Sequence, residues 1–281
     1  MTIRPVKKLI KAKPTMEGAG VKLHRAFGFG STNDFDPFLL FDDFRGDDPS
    51  DYKAGFPWHP HRGIETITYV LAGSVEHGDS IGNSGSITAG DIQWMTAGSG
   101  IIHQEMPAGD AEGRMYGFQL WANLPSKLKM TKPRYQEFTS DMIPAVAGED
   151  RSLVKVICGE YLGTRGPVEG IAADPVYLDV FVPAGVKKIL PAANECNAIA
   201  YVFEGSGKFC DADADDRTLV HFGPGDEISV TAGAEGVRFL FFAGKPIKEP
   251  VAWYGPIVMN TQEELRTAFD ELEKGTFLKN N

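Results

Sequence analysis

The chain is written as short runs of strand-forming residues, broken at close intervals by turn formers. "ETITYVLAG", "GSITAGDIQWMTAG", "RMYGFQLWANL", "SLVKVICGEYLG", "VYLDVFVPAG", "AIAYVFEGSGKF" and "VRFLFFAG" are rich in Val, Ile, Tyr and Phe and are bounded by Gly, Pro, Asn or Asp. The 32 Gly and 18 Pro among 281 residues supply turn chemistry throughout. A parallel α/β fold would need a helical stretch after most strands, and the spacing leaves no room for one. This pattern predicts an all-β sandwich or barrel.

Two stretches share one order of features. "TITYVLAGSVEHGDS…GSITAGDIQWMTAG" and "AIAYVFEGSGKFCDADADDRTLVHFGPGDEISVTAG" each run strand, Gly turn, strand, Gly-Asp turn, strand. The weak repeat predicts one β-barrel domain present twice, which the length also suits. The polar, Pro-containing segment 129–152 is the linker candidate. We therefore expect an N-terminal domain over residues 1–135 and a C-terminal domain over 136–281. The helix is expected at the end: "NTQEELRTAFDELEKG" has a capping box in Thr261 and Glu264. Leu265, Ala268, Phe269 and Leu272 follow at helical spacing, and Gly275 is the stop.

The formal net charge of −10 argues against direct nucleic-acid binding or attraction to an anionic membrane. Residues 1–25 run the other way, with seven basic residues against Glu17, a net +6. "VKKLIKAKP" roughly alternates, as in an edge strand guarded by lysines. No apolar run approaches the ~20 residues of a membrane span, and the first residues lack the pattern of a signal peptide. The three cysteines, Cys158, Cys196 and Cys210, form no C-x-x-C pair. A reducing, cytoplasmic location and buried thiols are expected.

Only six histidines occur, and two fall together in "FPWHPHRG". His59 and His61 are two apart, so on an extended strand they share a face. His103 and Glu105 in "GIIHQEMP" share a face by the same parity. If the two strands meet, three imidazoles and one carboxylate surround a point, a donor set suited to a divalent transition metal with positions left open. Glu65 has the parity of His59 and His61 and competes with Glu105 for the carboxylate role. Otherwise it would orient an imidazole N–H. His24, His77 and His221 stand alone and read as surface or satisfied buried residues.

"G-x3-H-x-H-x3-E-x7-G", from Gly55 to Gly73, resembles the first cupin motif, and "GDIQWMTAGSGIIHQE" a variant of the second. The departures from the general pattern resemble the pirin family. "DPFLLFDDF", "HPHRGIETITYVLAGSVEHGDS", "AGDIQWMTAGSGIIHQEMP", "GFQLWANLP" and "GPIVMNT" are similar to pirin segments in pirin order. The resemblance implies two cupin β-barrels of jelly-roll type with a short C-terminal helix, and a single metal in the N-terminal barrel. It places the metal ligands on His59, His61, His103 and Glu105 and favours Glu105 over Glu65. Iron is the implied ion, with manganese, nickel, copper or zinc compatible with the same donors. It also implies an oxidoreductase of the quercetin 2,3-dioxygenase type, a monomer that opens the ring of a flavonol with O₂. Glu105 would then be both ligand and catalytic base. Phe56, Trp94, Met95 and Phe118 are the candidates to line a planar pocket. The other implied role is an iron-dependent regulator that binds a protein partner without turnover, with the basic N-terminal segment as contact surface.

Overall fold

A computed structural model of the chain describes residues 1–279. It is mostly β, and it divides into two compact units. One comprises Pro14–Ser140 with Ile247–Asn281; the other comprises Met1–Lys13 with Asp141–Pro246. The chain passes between them at 140/141, five residues beyond the expected division at 135/136. Its two ends go to the unit opposite the one their position in the sequence suggests. Long-range pairing explains both. The strand Val6–Lys11 forms an antiparallel ladder with Thr218–Phe222. The tail after Pro246 docks on the loop that follows His61, as described below. The segment read as a linker holds a strand, Arg134–Phe138, paired with Ile92–Thr96.

The unit containing the histidine motifs is a two-sheet cupin barrel. Its seven-stranded sheet runs, in spatial order, Arg134–Phe138, Ile92–Thr96, Ile64–Ala72, Tyr116–Asn123, Phe38–Asp43, Val21–Phe27 and Lys13–Glu17. Its four-stranded sheet runs Phe56–His61, Ile101–Ala108, Ser74–Asp79 and Ser84–Thr88. Alternation decides what each strand presents inward. Along Ile101–Ala108 the buried positions are Ile101, His103, Glu105 and Pro107, while their neighbours are partly or fully exposed. Along Ile64–Ala72, Thr68 reaches Glu105, so Thr66 and Thr68 share the inward face and Glu65 and Ile67 the outward one.

The other unit is a nine-stranded antiparallel assembly. It is built around two long strands, Asn197–Phe209 and Glu227–Gly244, whose pairing shifts register at Val202/Glu204 and Gly205/Gly207. Those shifts let one strand bend from one face of the barrel to the other. Its core is aliphatic and aromatic: Leu178, Val180, Val202, Phe209, Val220, Phe222, Val230, Phe239 and Phe241 are all buried together. Val6–Lys11 lies at the edge of this assembly, with Lys7, Lys8 and Leu9 exposed, as the lysine pattern predicts.

The helix Gln262–Glu273 forms with its capping box closed. Glu264 N–H donates to Thr261 Oγ1 at 3.1 Å, and Thr261 N–H donates to Glu264 Oε2 at 2.9 Å. Its apolar face packs with Ala252, Ile257, Met259 and Phe277. Among the described residues no helix is long and apolar enough to cross a membrane.

Candidate metal centre

The strands Phe56–His61 and Ile101–Ala108 are antiparallel neighbours, with His59 opposite His103 and His61 opposite Ile101. That register meets the condition left open by the sequence, and the three imidazoles come together. One ring nitrogen from each of His59, His61 and His103 lies within 4.8 Å of the others, the only such His/Cys/Asp/Glu group among the described residues. His61 and His103 are buried, and His59 is half-buried.

Backbone carbonyls set which nitrogen faces the shared point. Pro57 O lies 2.9 Å from His59 Nδ1, and Pro256 O lies 3.2 Å from His61 Nδ1. A carbonyl only accepts, so in each contact Nδ1 carries the proton and Nε2 presents its lone pair. The two Nε2 atoms are 3.1 Å apart. With both nitrogens bare, no hydrogen can sit between them and their lone pairs repel. His103 is 1% exposed, and neither of its ring nitrogens has a hydrogen-bond partner. Buried polar atoms are rarely left in this state. A cation bound between the rings relieves both conditions, so the residues fit a metal. Burial, reinforced by the neighbouring imidazoles, holds His61 and His103 well below the ordinary histidine pKa. They are therefore neutral, the form that ligates.

Glu105 stands beside this group. Its Oε2 is 3.9 Å from His103 Nε2. Thr68 Oγ1 donates to Oε1 at 3.2 Å, and Gln119 Nε2 lies 3.2 Å from both carboxylate oxygens. Glu65 is elsewhere. It faces outward from its strand, accepts from Thr96 Oγ1 at 2.7 Å, and is pushed up to about 7 by burial. It makes no contact with an imidazole, so the role of orienting one falls to backbone carbonyls instead.

His77 is the satisfied buried residue that the sequence reading allows. It is buried directly across the ladder from Glu105, facing the same interior, and its Nε2 lies 3.0 Å from Glu137 Oε1. His221 is buried in the other unit, on a strand whose Val220 and Phe222 fill an apolar core.

The centre opens into a cavity of about 700 Å³. Phe56, Trp121, Trp253 and Tyr254 give it aromatic walls, and His59, His61 and Glu105 line it. Trp121 meets His61 edge-on, with ring centres 5.0 Å apart, and Trp253 lies 6.1 Å beyond Trp121. Arg25 also lines the cavity, fixed by paired bonds of 2.8 and 2.7 Å to Asp42 and a third of 2.8 Å to Glu17. Burial raises Asp42 to about 6 against the pull of Arg25. Of the four aromatic and Met candidates, Phe56 alone lines the cavity. Trp94, Met95 and Phe118 are fully buried in the protein core.

Gln119 and Trp121 lie in "GFQLWANLP", and Gly255 and Pro256 in "GPIVMNT", segments similar to pirins, but neither they nor Trp253 and Tyr254 belong to a ligand motif whose spacing would place them at the site. A hint exists for Gln119 and Trp121: "GFQLWANL" alternates apolar residues with Gln and Trp on one face.

Comparison with known proteins agrees with this geometry. The pattern that defines the pirin family matches residues 20–122, and that of the pirin C-terminal cupin domain matches residues 177–278. A pirin-like protein of Caulobacter vibrioides is 49% identical over 278 residues, covering 99% of this chain and all of that protein. The chain belongs to the pirin family. Among solved structures, quercetin 2,3-dioxygenase from Acinetobacter baumannii is 32% identical, with a TM-score of 0.91 over 98% of this chain and 99% of that one. The bacterial pirin YhhW of Escherichia coli, solved with nickel(II), shares the fold at 23% identity, with a TM-score of 0.68 over 85% of this chain and 99% of that one. The His-x-His and His-x-Glu blocks of this pirin both fall in its N-terminal family match.

Proposed function

We propose that this pirin is a metal-dependent dioxygenase that opens the ring of flavonols, of the quercetin 2,3-dioxygenase type. The observation that carries the reading is one juxtaposition. Three imidazoles bring a ring nitrogen each to one point, a carboxylate flanks them, and an aromatic-walled cavity of about 700 Å³ opens beside them. That volume lies within the range of small-molecule sites, and its lining matches the apolar walls and few polar groups such sites use. The name of the Acinetobacter relative supports the same substrate class.

His59, His61 and His103 would hold the ion, with Glu105 as the fourth ligand, and we take iron as the native metal. When bound, the ion supplies Lewis acidity toward the flavonol oxygens and redox chemistry toward O₂. The protein supplies the rest. Trp121, Trp253 and Phe56 hold a planar ring system at the centre. Glu105 accepts the proton of the flavonol hydroxyl, a general base held in place by Thr68 and Gln119. The apolar wall excludes bulk water. Arg25 and Asp42 offer a polar contact to a further hydroxyl.

The test is turnover. Protein loaded anaerobically with iron(II), with occupancy measured by elemental analysis, should consume quercetin and O₂ in equal amounts and release carbon monoxide. The metal-stripped protein should be inactive. A fully loaded protein that consumes neither substrate removes the dioxygenase reading. The regulator role, read by iron-dependent capture of a protein partner, would then stand in its place.

A further inference from the structure

Three consecutive residues, His61, Arg62 and Gly63, meet the C-terminal tail, nearly two hundred residues away in sequence: the first two are hydrogen-bonded to it and the third packs against it. His61 Nδ1–H donates to Pro256 O at 3.2 Å. Arg62 O accepts from Val258 N–H at 3.1 Å. Gly63 lies so close to the tail that a Cβ added there would stand 1.9 Å from Val258 O, and its φ of +78° also favours glycine. The Arg62 side chain is 2% exposed and points to the tail's far end. Its Nη2 donates to Phe277 O at 2.7 Å, its Nη1 is 2.8 Å from Glu271 Oε2, and its guanidinium lies 4.1 Å from the Phe277 ring centre. Its Nε donates to Ser99 O at 2.7 Å, just before the strand that carries His103. The same tail supplies Trp253, Tyr254, Gly255 and Pro256 to the cavity wall.

We propose that the tail is a positioning element of the metal centre, that Arg62 is the residue anchoring it there, and that tail docking and metal occupancy are thermodynamically coupled. The inference rests on the metal-binding reading above. Its physical basis is the His61 Nδ1–H bond to Pro256 O. While Pro256 is held, His61 keeps the tautomer and ring angle that present Nε2. When the tail loosens, the ring is free to turn and to move its proton. Losing the partner of a ligating histidine typically weakens metal binding about 10–100-fold. Coupling of this kind is reciprocal, so metal removal must loosen the tail by the same factor.

The experiment uses the full chain and cobalt(II), whose visible spectrum reports ligand geometry. Dissociation constants are measured by chelator competition for the wild type and for Arg62→Gln, Glu271→Gln and Phe277→Ala, with folding checked by denaturant midpoint. Glu271 and Phe277 touch no ligand, so these variants decide the matter if Arg62→Gln does not fold. The expected result is a cobalt affinity about 10–100-fold weaker in folded Arg62→Gln or Phe277→Ala, with an altered cobalt spectrum. A smaller loss is expected for Glu271→Gln. Hydrogen exchange over residues 253–277 of the wild type should accelerate when cobalt is removed. Unchanged affinity and spectrum in folded variants, or tail exchange indifferent to cobalt, overturn the inference. A wild type that binds no cobalt at all overturns the metal reading first, a separate and recognisable result.

Discussion

Trp121 donates its indole N–H to Gln119 Oε1 at 2.9 Å, and that single bond orients the amide beside the metal centre. An indole nitrogen only donates, so the Gln119 carbonyl must face Trp121 and its NH₂ must face Glu105. The carboxylate then accepts from Gln119 and Thr68 together. In the proposed reaction, a carboxylate held in this way would keep its free lone pairs toward the cavity and meet the substrate in one position.

Gln119→Leu should therefore impair turnover more than metal binding. A hydrogen bond to a charged group contributes about 1.5–3 kcal/mol, so flavonol turnover per bound metal should fall about 10- to 100-fold. Trp121→Phe keeps the wall and removes only the orienting donor, and a loss of a few-fold is expected. Both are read from kcat with metal content measured in the same sample. Equal loss in metal occupancy and turnover would instead show Gln119 to be holding the ligand set alone.

Glu105→Gln separates ligation from proton transfer. The substitution keeps the shape and one oxygen donor, and it removes the charge and most of the basicity. General-base catalysis contributes about 10²–10⁴-fold, and the metal-loaded variant should be slower by that order. Wild-type turnover in a loaded Glu105→Gln protein would make Glu105 a ligand only and place the base elsewhere.

The facing of the ligand candidates was legible in the sequence because strand parity is a local rule: His59 and His61 share a face, as do His103 and Glu105, whereas the meeting of the two strands is a long-range pairing that parity left conditional and only the family resemblance implied. The β architecture was legible for the same reason, from the alternation and the turns. The orienting groups were not. Pro57 O and Pro256 O hold the rings, and backbone carbonyls leave no mark in a residue pattern. Glu65 was ambiguous because parity within one strand entry cannot say which way the next strand turns. Gly63 breaks the run, and Glu65 emerges on the outward face, against Thr96. The ends of the chain were assigned by proximity in sequence, whereas their partners, Thr218–Phe222 for one and Arg62–Gly63 for the other, are long-range contacts.

Glu65 gives a pH signature independent of the metal. Its carboxyl is lifted by burial from an ordinary 4.5 to about 7. Between these values the folded protein retains a proton that the unfolded chain has released. The unfolding free energy must fall as pH rises through that window, by up to about 3 kcal/mol from this group alone. Its contribution is complete below pH 4.5 and lost above 7. Denaturant unfolding of metal-free protein at pH 5 and pH 8 measures it. Glu65→Gln should flatten the pH dependence by that amount, and an unchanged slope would show that Glu65 titrates normally.

Lys129 is the other buried titratable group whose loss has a calculable consequence. Its ammonium donates to Gly63 O at 2.8 Å, Asn123 Oδ1 at 2.6 Å and Val258 O at 3.0 Å, so all three of its protons are used. Burial nonetheless lowers it to about 7, because two carbonyls and an amide do not replace water or a carboxylate. Between pH 7 and the ordinary 10.5 the unfolded chain binds a proton that the folded one lacks, and this group makes stability rise with pH in that window. Lys129→Met fills the space and leaves three buried acceptors without a donor. Each orphaned acceptor costs about 1–3 kcal/mol, while losing the ammonium also relieves its burial cost at pH 7, so the net destabilisation should be partly offset at pH 7 and should grow as pH rises and the wild type sheds that cost. The rise of stability above pH 7 should disappear in the variant. Gly63 follows directly after Arg62, so the loss should also appear as faster hydrogen exchange in residues 61–64 and 256–259 before any global unfolding. A Lys129→Met protein as stable as the wild type throughout that window, with these segments equally protected, would mean that water takes over all three acceptors and that the lysine is dispensable to the loop that carries His61.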